Sequence, residues 1–181
     1  MTVSDGKDNR QGSAKTSMEP ISADDVEAIH GTVYPPEFAH VVQGRSKAKL
    51  GDVFGLSNFG VNYTNLEPGA SSALLHHHST QDEMVYVLEG EVTLTRLYDE
   101  TTHKTTMRAG DCVGFPAGLA VAHCMRNESA ETARFLEIGD RSPGDRVEYP
   151  NNDLKAVMQK DGLWKFVHKD GRPYDEDSSK K

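Results

Sequence analysis

The residues most able to do chemistry in this 181-residue chain are clustered around one unusual run, Leu74-Leu75-His76-His77-His78, with Glu83 just downstream. If residues 74–78 are extended, Leu74, His76 and His78 project to one face and Leu75 and His77 to the other. Two imidazoles then stand side by side. Glu83 is in phase with Val85 and Val87, and His123 is in phase with Val121 and Met125. The spacing therefore predicts that three imidazoles and one carboxylate share an interior. Burying a lone carboxylate among apolar side chains costs several kcal/mol without a compensating partner. No Arg or Lys shares the inner face within the Glu83 strand, so a divalent ion is the expected compensation. Neutral imidazole with carboxylate suits Zn, Fe, Mn, Ni or Cu better than Ca or Mg. Four protein ligands on an octahedral ion leave up to two positions for water, substrate or oxygen, which is the arrangement of a catalytic site.

The elements that must position these groups read as strands. From Phe59 onward the apolar pattern has period two: Phe59, Val61 and Tyr63, then Val85 and Val87, then Val92 and Leu94, then Val121, His123 and Met125. Turn chemistry separates them at Pro68-Gly69, Glu89-Gly90, Asp99 to Thr102, Ala109-Gly110-Asp111 and Pro116-Ala117-Gly118. Many short strands with such turns predict an all-β sandwich or barrel. After Ser142 the rhythm weakens; Leu154 to Met158 reads as a helical turn and Trp164 to Val167 as an apolar strand.

The motifs carry a resemblance. Gly69, His76-x-His78, Glu83 and Gly90 resemble the first motif of the cupin superfamily, and Gly110, Pro116-x-Gly118, His123 and Asn127 resemble the second. Two spacings depart from the commonest pattern, with six residues between Gly69 and His76 and four between Gly118 and His123; both extra lengths fall in turns. Nineteen residues lie between Gly90 and Gly110, the compact spacing of microbial members. The resemblance spans roughly residues 59–139 and implies a jelly-roll barrel, the double-stranded β-helix, with His76, His78, Glu83 and His123 as the metal ligands. Further segments, Tyr34-Pro35-Pro36, Phe59-Gly60-Val61-Asn62 and Tyr149-Pro150-Asn151-Asn152, resemble a group of single-domain bacterial cupins without a settled activity, some labelled sugar phosphate isomerases.

The expected organisation is a flexible tail at 1–20, an extension at 21–58 packing on the barrel, the barrel core at 59–140, a C-terminal extension at 141–174 and a second flexible tail at 175–181. Sparse apolar content accounts for the tails. The expected function is a metal-dependent enzyme on a small polar metabolite held in the barrel, as an isomerase of a sugar or sugar phosphate or as a dioxygenase. The alternative is a binding module without turnover. Tyr63 and Glu137 are the acid–base candidates, and Arg96 and Arg134 are the strand arginines near enough to meet a phosphate. His77 reads as a wall or solvent residue, and Asn127 as the residue closing the turn after the second motif.

A formal charge of -8 with no basic run argues against nucleic acid. No stretch approaches the ~20 apolar residues of a membrane span, so a cytoplasmic protein is expected. Cys112 and Cys124 read as reduced wall residues. The resemblance also implies a homodimer, with residues from Asp145 to Tyr174, including Trp164 and Phe166, at the contact.

Overall fold

The computed structural model describes residues 19–174. Residues 1–18 and 175–181, most of the two expected tails, lie outside the described residues. Among the described residues no helix is long and apolar enough to cross a membrane.

A 3-10 turn at Ala23–Asp25 opens the described chain, and the Ser22 hydroxyl accepts from the Asp24 N–H. Two short strands follow, β1 (Ala28–Ile29) and β2 (Arg45–Lys49), with the one-turn helices α1 (Pro36–Ala39) and α2 (Leu50–Val53) beside them. The barrel strands are β3 (Phe59–Leu66), β4 (His77–His78), β5 (Glu83–Glu89), β6 (Glu91–Tyr98), β7 (Thr101–Arg108), β8 (Cys112–Phe115), β9 (Ala122–Arg126) and β10 (Ala133–Asp140). Three more complete the chain, β11 (Arg146–Tyr149), β12 (Leu154–Met158) and β13 (Trp164–Val167).

They form three antiparallel sheets. One has the order β1-β2-β3-β10-β5-β8, the second β13-β12-β11-β4 and the third β7-β6-β9. The expected all-β jelly roll is the observed architecture. Its main core joins Leu66, Val85, Val87, Val92, Leu94, Met107, Phe115, Met125 and Phe135. These are the alternate positions that period two assigns to the interior. A second core holds Leu74, Val147, Tyr149, Leu154 and Ala156, with Tyr34, Trp164 and Phe166 packed against it. Trp164 and Phe166 thus pack on their own chain. An exposed apolar row lies on the outer face of β5, where Met84, Tyr86 and Leu88 are 39%, 38% and 43% exposed.

Two local readings of the sequence are corrected here. In β3 the inward residues are Thr64 and Leu66, both fully buried; Tyr63 points to the opposite face and donates to Asp24 Oδ1 at 3.1 Å. The N-terminal segment covers that outer face, so both faces of β3 carry buried side chains and hydropathy cannot choose between them. The segment 154–158 is a strand, paired with β11 on one side and β13 on the other. Leu154, Val157 and Met158 fit a helical spacing equally well, but the ladder is formed by the alternation of Leu154 and Ala156.

Gly90 makes the tightest turn of the barrel possible. Its φ is +71°, and a Cβ there would sit 3.0 Å from Thr132 O and 3.2 Å from Ala133 Cα. Gly90→Ala must strain the backbone and push on backbone atoms that cannot give way, at a cost of roughly 2 kcal/mol. For a chain of this size that is expected to lower the melting temperature by about 4–8 °C, measured by calorimetry, with the pairing of β5 to β8 and β10 unchanged.

Candidate metal centre

The four residues singled out by their phase meet at one end of the barrel, each delivered by a different piece of ladder. His77 and His78 form β4, which pairs with β11 through His78 opposite Val147 and His77 opposite Glu148. His76 precedes it and bridges directly to His123 of β9, the two backbones exchanging N–H to O bonds of 3.2 and 2.8 Å. That bridge sets the two rings 4.9 Å apart. Glu83 is the first residue of β5.

All three Nε2 atoms aim at one carboxylate oxygen. Glu83 Oε2 lies 3.0 Å from His123, 3.4 Å from His78 and 3.7 Å from His76. The ligand atoms of His76, His78 and Glu83 all lie within 4.8 Å of one another, and His123 joins them through its contact with Glu83. Behind the rings the Nδ1 atoms are occupied. His76 Nδ1 donates to Leu74 O at 2.8 Å, and His78 Nδ1 donates to Asp145 Oδ2 at 2.5 Å. Those bonds place the proton on Nδ1 and leave the Nε2 lone pairs facing inward, the orientation that ligation requires. His123 is sandwiched against Phe115, with ring centroids 3.5 Å apart.

Electrostatics point the same way. Burial pushes His76 down to about 3, against the pull of Glu83, so it is neutral at any ordinary pH. Burial alone would raise the Glu83 carboxyl, but the His123 hydrogen bond and the neighbouring imidazoles outweigh it and hold the group ionised, well below the usual carboxylate range. The inward-facing Nε2 lone pairs of His76 and His78 beside the Glu83 carboxylate are a donor set suited to a cation. Donors about 2.0–2.1 Å from one ion lie roughly 3–3.5 Å apart at tetrahedral or octahedral angles. The observed separations from Glu83, 3.0 to 3.7 Å, fit that requirement.

The pocket beside this cluster has a volume of ≈ 130 Å³ and is lined by His77, Gln81, Arg96, Phe115, Leu119 and Val121, together with His78, Glu83 and His123.

A family model described as a cupin domain matches residues 62–139. Among solved structures, the chain is similar to a sugar phosphate isomerase of the cupin superfamily from Silicibacter pomeroyi, at 39% identity and a TM-score of 0.79, covering 86% of this chain and 96% of that one. The chain belongs to the cupin superfamily. This cupin is also similar to a protein of Acidithiobacillus ferrooxidans provisionally named a sugar phosphate isomerase, at 37% identity and a TM-score of 0.60, with 68% of this chain and 76% of that one covered. Among curated proteins it matches Germin-like protein 8-14 of Oryza sativa subsp. japonica, 24% identical over 141 residues. That match takes in 74% of this cupin and 66% of the rice protein's length.

The acid–base candidates of this cupin fall outside the pocket. Tyr63, on the outer face of β3, is held by Asp24. Glu137 shares the inner face of β10 with Phe135, but its carboxylate is taken by Lys47 Nζ at 2.6 Å and by the Thr64 hydroxyl at 3.0 Å, and it does not line the pocket. Arg134 pairs with Glu89 on the outer face at 2.6 Å. Arg96 is the strand arginine that reaches the pocket, and His77, read as a wall residue, contributes to its lining. Asn127 is fully buried and closes the turn as expected, donating to Leu66 O and Glu131 O while its Oδ1 accepts from Ser129. Both cysteines are free; burial pushes Cys124 up to about 11, while Cys112 is exposed.

Asp145 is the residue the sequence does not announce. It is fully buried, and Oδ1 accepts from Ser79 N (2.9 Å), Ser79 Oγ (3.0 Å), Thr80 N (2.8 Å) and Thr80 Oγ1 (3.2 Å), leaving Oδ2 for His78. It lies 67 residues from His78 and follows a Pro143-Gly144 turn in a stretch without periodicity. Its one sequence signal is an acid at the mouth of a strand.

Proposed function

We propose that this cupin is a divalent-metal-dependent isomerase of a small sugar or sugar phosphate, with His76, His78, Glu83 and His123 as the ligands. The carrying observation is the convergence of three imidazole Nε2 atoms on the Glu83 carboxylate at the wall of a pocket. The two solved relatives at 39% and 37% identity, one named a sugar phosphate isomerase and the other provisionally so named, support the choice of reaction. When bound, the ion would supply Lewis acidity at a substrate carbonyl or hydroxyl oxygen. The chain does the rest. Asp145 holds the His78 proton at Nδ1, Phe115 fixes the plane of the His123 ring, and Phe115, Leu119 and Val121 line the pocket with apolar surface. The molecule acts as a homodimer in this reading, with the segment from Asp145 to Tyr174, including Trp164 and Phe166, at the contact and the exposed apolar row Met84, Tyr86 and Leu88 as a second available surface.

The test is elemental analysis of protein purified without added metal, followed by aldose–ketose interconversion assays on free and phosphorylated sugars and by oxygen-uptake assays. About one ion per chain is expected, with isomerisation lost on chelation and restored by the ion. Light scattering on the same sample should give twice the 19.9 kDa chain mass. Stoichiometric ion with no turnover would leave a binding module, oxygen uptake would leave an oxygenase, and protein that retains no ion would end the proposal.

A further inference from the structure

Arg96 stands where period two puts a core residue. It continues the inward stripe of β6 beyond Val92 and Leu94, which are 1% and 3% exposed. It is also paired directly with His123 on β9. Directly opposed residues of an antiparallel ladder share a face, so Arg96 rises from the same face as the His123 imidazole. It lines the pocket next to Glu83, and the walls around it are apolar: Val113, Phe115, Leu119 and Val121.

Its hydrogen bonding is incomplete. Nη2 donates to Thr105 Oγ1 at 3.0 Å, but Nε is buried and meets no acceptor. A buried donor without a partner is costly, more so on a charged group. Arginine cannot escape that cost by losing its proton. Glu83 is the one carboxylate among the described residues lining the pocket, and its Oε2 already faces three imidazoles. The partly buried polar cluster of Lys47, Thr64 and Glu137 is closed on itself and offers Arg96 nothing.

We infer that Arg96 anchors an anionic group of the substrate, so that the pocket takes a compact hydroxy or oxo compound bearing a phosphate or carboxylate at its far end. The inference rests on the proposed isomerase reading for what happens at the other end of the ligand, and adds the charge and the size of the molecule. A volume of ≈ 130 Å³ is below the range of about 300–1,000 Å³ that holds drug-sized ligands, which suits a backbone of a few carbons. The fork of guanidinium donors matches the oxygen spacing of both anions. With the anion on Arg96 and the Nε2 cluster on the neighbouring strand, the ligand's oxygen-bearing carbons lie between them.

The sole tryptophan of the chain, Trp164, has its ring 6.2 Å from that of His78 and serves as the reporter. Full-length protein, loaded with one divalent ion or treated with chelator, is titrated with glycerol 3-phosphate, D-glycerate and uncharged glycerol while its fluorescence is followed. Saturable binding of an anion and none of glycerol is expected, and the tighter anion names the group. Arg96→Gln should weaken that anion roughly 10- to 100-fold, Arg96→Lys should weaken it less, and ion content should be unchanged in both. Equal binding by wild type and Arg96→Gln, glycerol binding as tightly as the anions, or no anion binding by wild type would overturn the inference. Should Arg96→Gln fail to fold, 2,3-butanedione modification of Arg96 in wild type, read by peptide mass spectrometry, must be slowed by the tighter anion; an unprotected Arg96 is again the refuting result. Arg96-dependent anion binding by a protein that retains no ion would sink the isomerase reading and leave this one standing.

Discussion

Glu83→Gln is expected to leave purification with less than a tenth of the wild-type ion content, because an amide oxygen replaces the one anionic donor among four and ion affinity falls at least about 100-fold. The ion-free protein should lose some stability but keep its fold. Glu83 is a buried carboxylate whose surroundings favour the ionised form, so the amide gives up that stabilisation while keeping the shape. Ion content therefore collapses while the fold is retained, which a simple folding defect would not produce. Adding the ion at about 100 times its dissociation constant stabilises a protein by roughly 2.7 kcal/mol. For this chain length that is about 5–10 °C, so wild type should show the shift in a thermal scan and Glu83→Gln should not. An equal shift in both would remove Glu83 from the ligand set.

The second large effect is expected at Asp145. Asp145→Ala leaves the N–H groups of Ser79 and Thr80, both hydroxyls and His78 Nδ1 without their acceptor in a fully buried place. The expected loss is about 3–5 kcal/mol, or on the order of 10 °C in melting temperature. Asp145→Asn separates folding from ligation. An amide nitrogen turned toward His78 would force its proton from Nδ1 to Nε2, the atom facing Glu83, and ion affinity should drop about 10- to 100-fold with most of the stability retained. Asp145 also carries a pH signature. Burial by itself would raise its carboxyl, but His78 and the Thr80 N–H outweigh burial and hold it below the ordinary range. A depressed folded value means stability that is full above the unfolded value near about 4 and lost as pH falls through the folded one. Wild type should soften below about pH 4, and Asp145→Asn should soften less; identical acid profiles would refute the assignment.

These two residues show what could be read in advance and what could not. Glu83 is in phase with Val85 and Val87, but Met84, Tyr86 and Leu88 on the other face are apolar too, so its place after His76-x-His78 announces it more than alternation does. The meeting of His76, His78 and His123 follows from the same two-residue period. The period is silent about Asp145, because contact with His78 depends on a ladder between β4 and β11, 67 residues apart in the chain. Tyr63 was misleading for a different reason. Alternation identifies the inner face only when the other face meets water, and in β3 the N-terminal segment covers it. Leu154 to Met158 fits both a helical and an extended spacing, and only the neighbouring strands decide between them. Arg96 was visible as a strand arginine, but not that its Nε is left unpaired inside a wall.

The proposed ligands come from separate sheets: His76 and His78 from β4 and its lead-in beside β11, Glu83 from β5 of the six-stranded sheet, and His123 from β9 of the three-stranded one. A single ion held by all of them would act as a rivet through three plates. Removing it would then loosen the seams between the plates more than the ladders within any one of them.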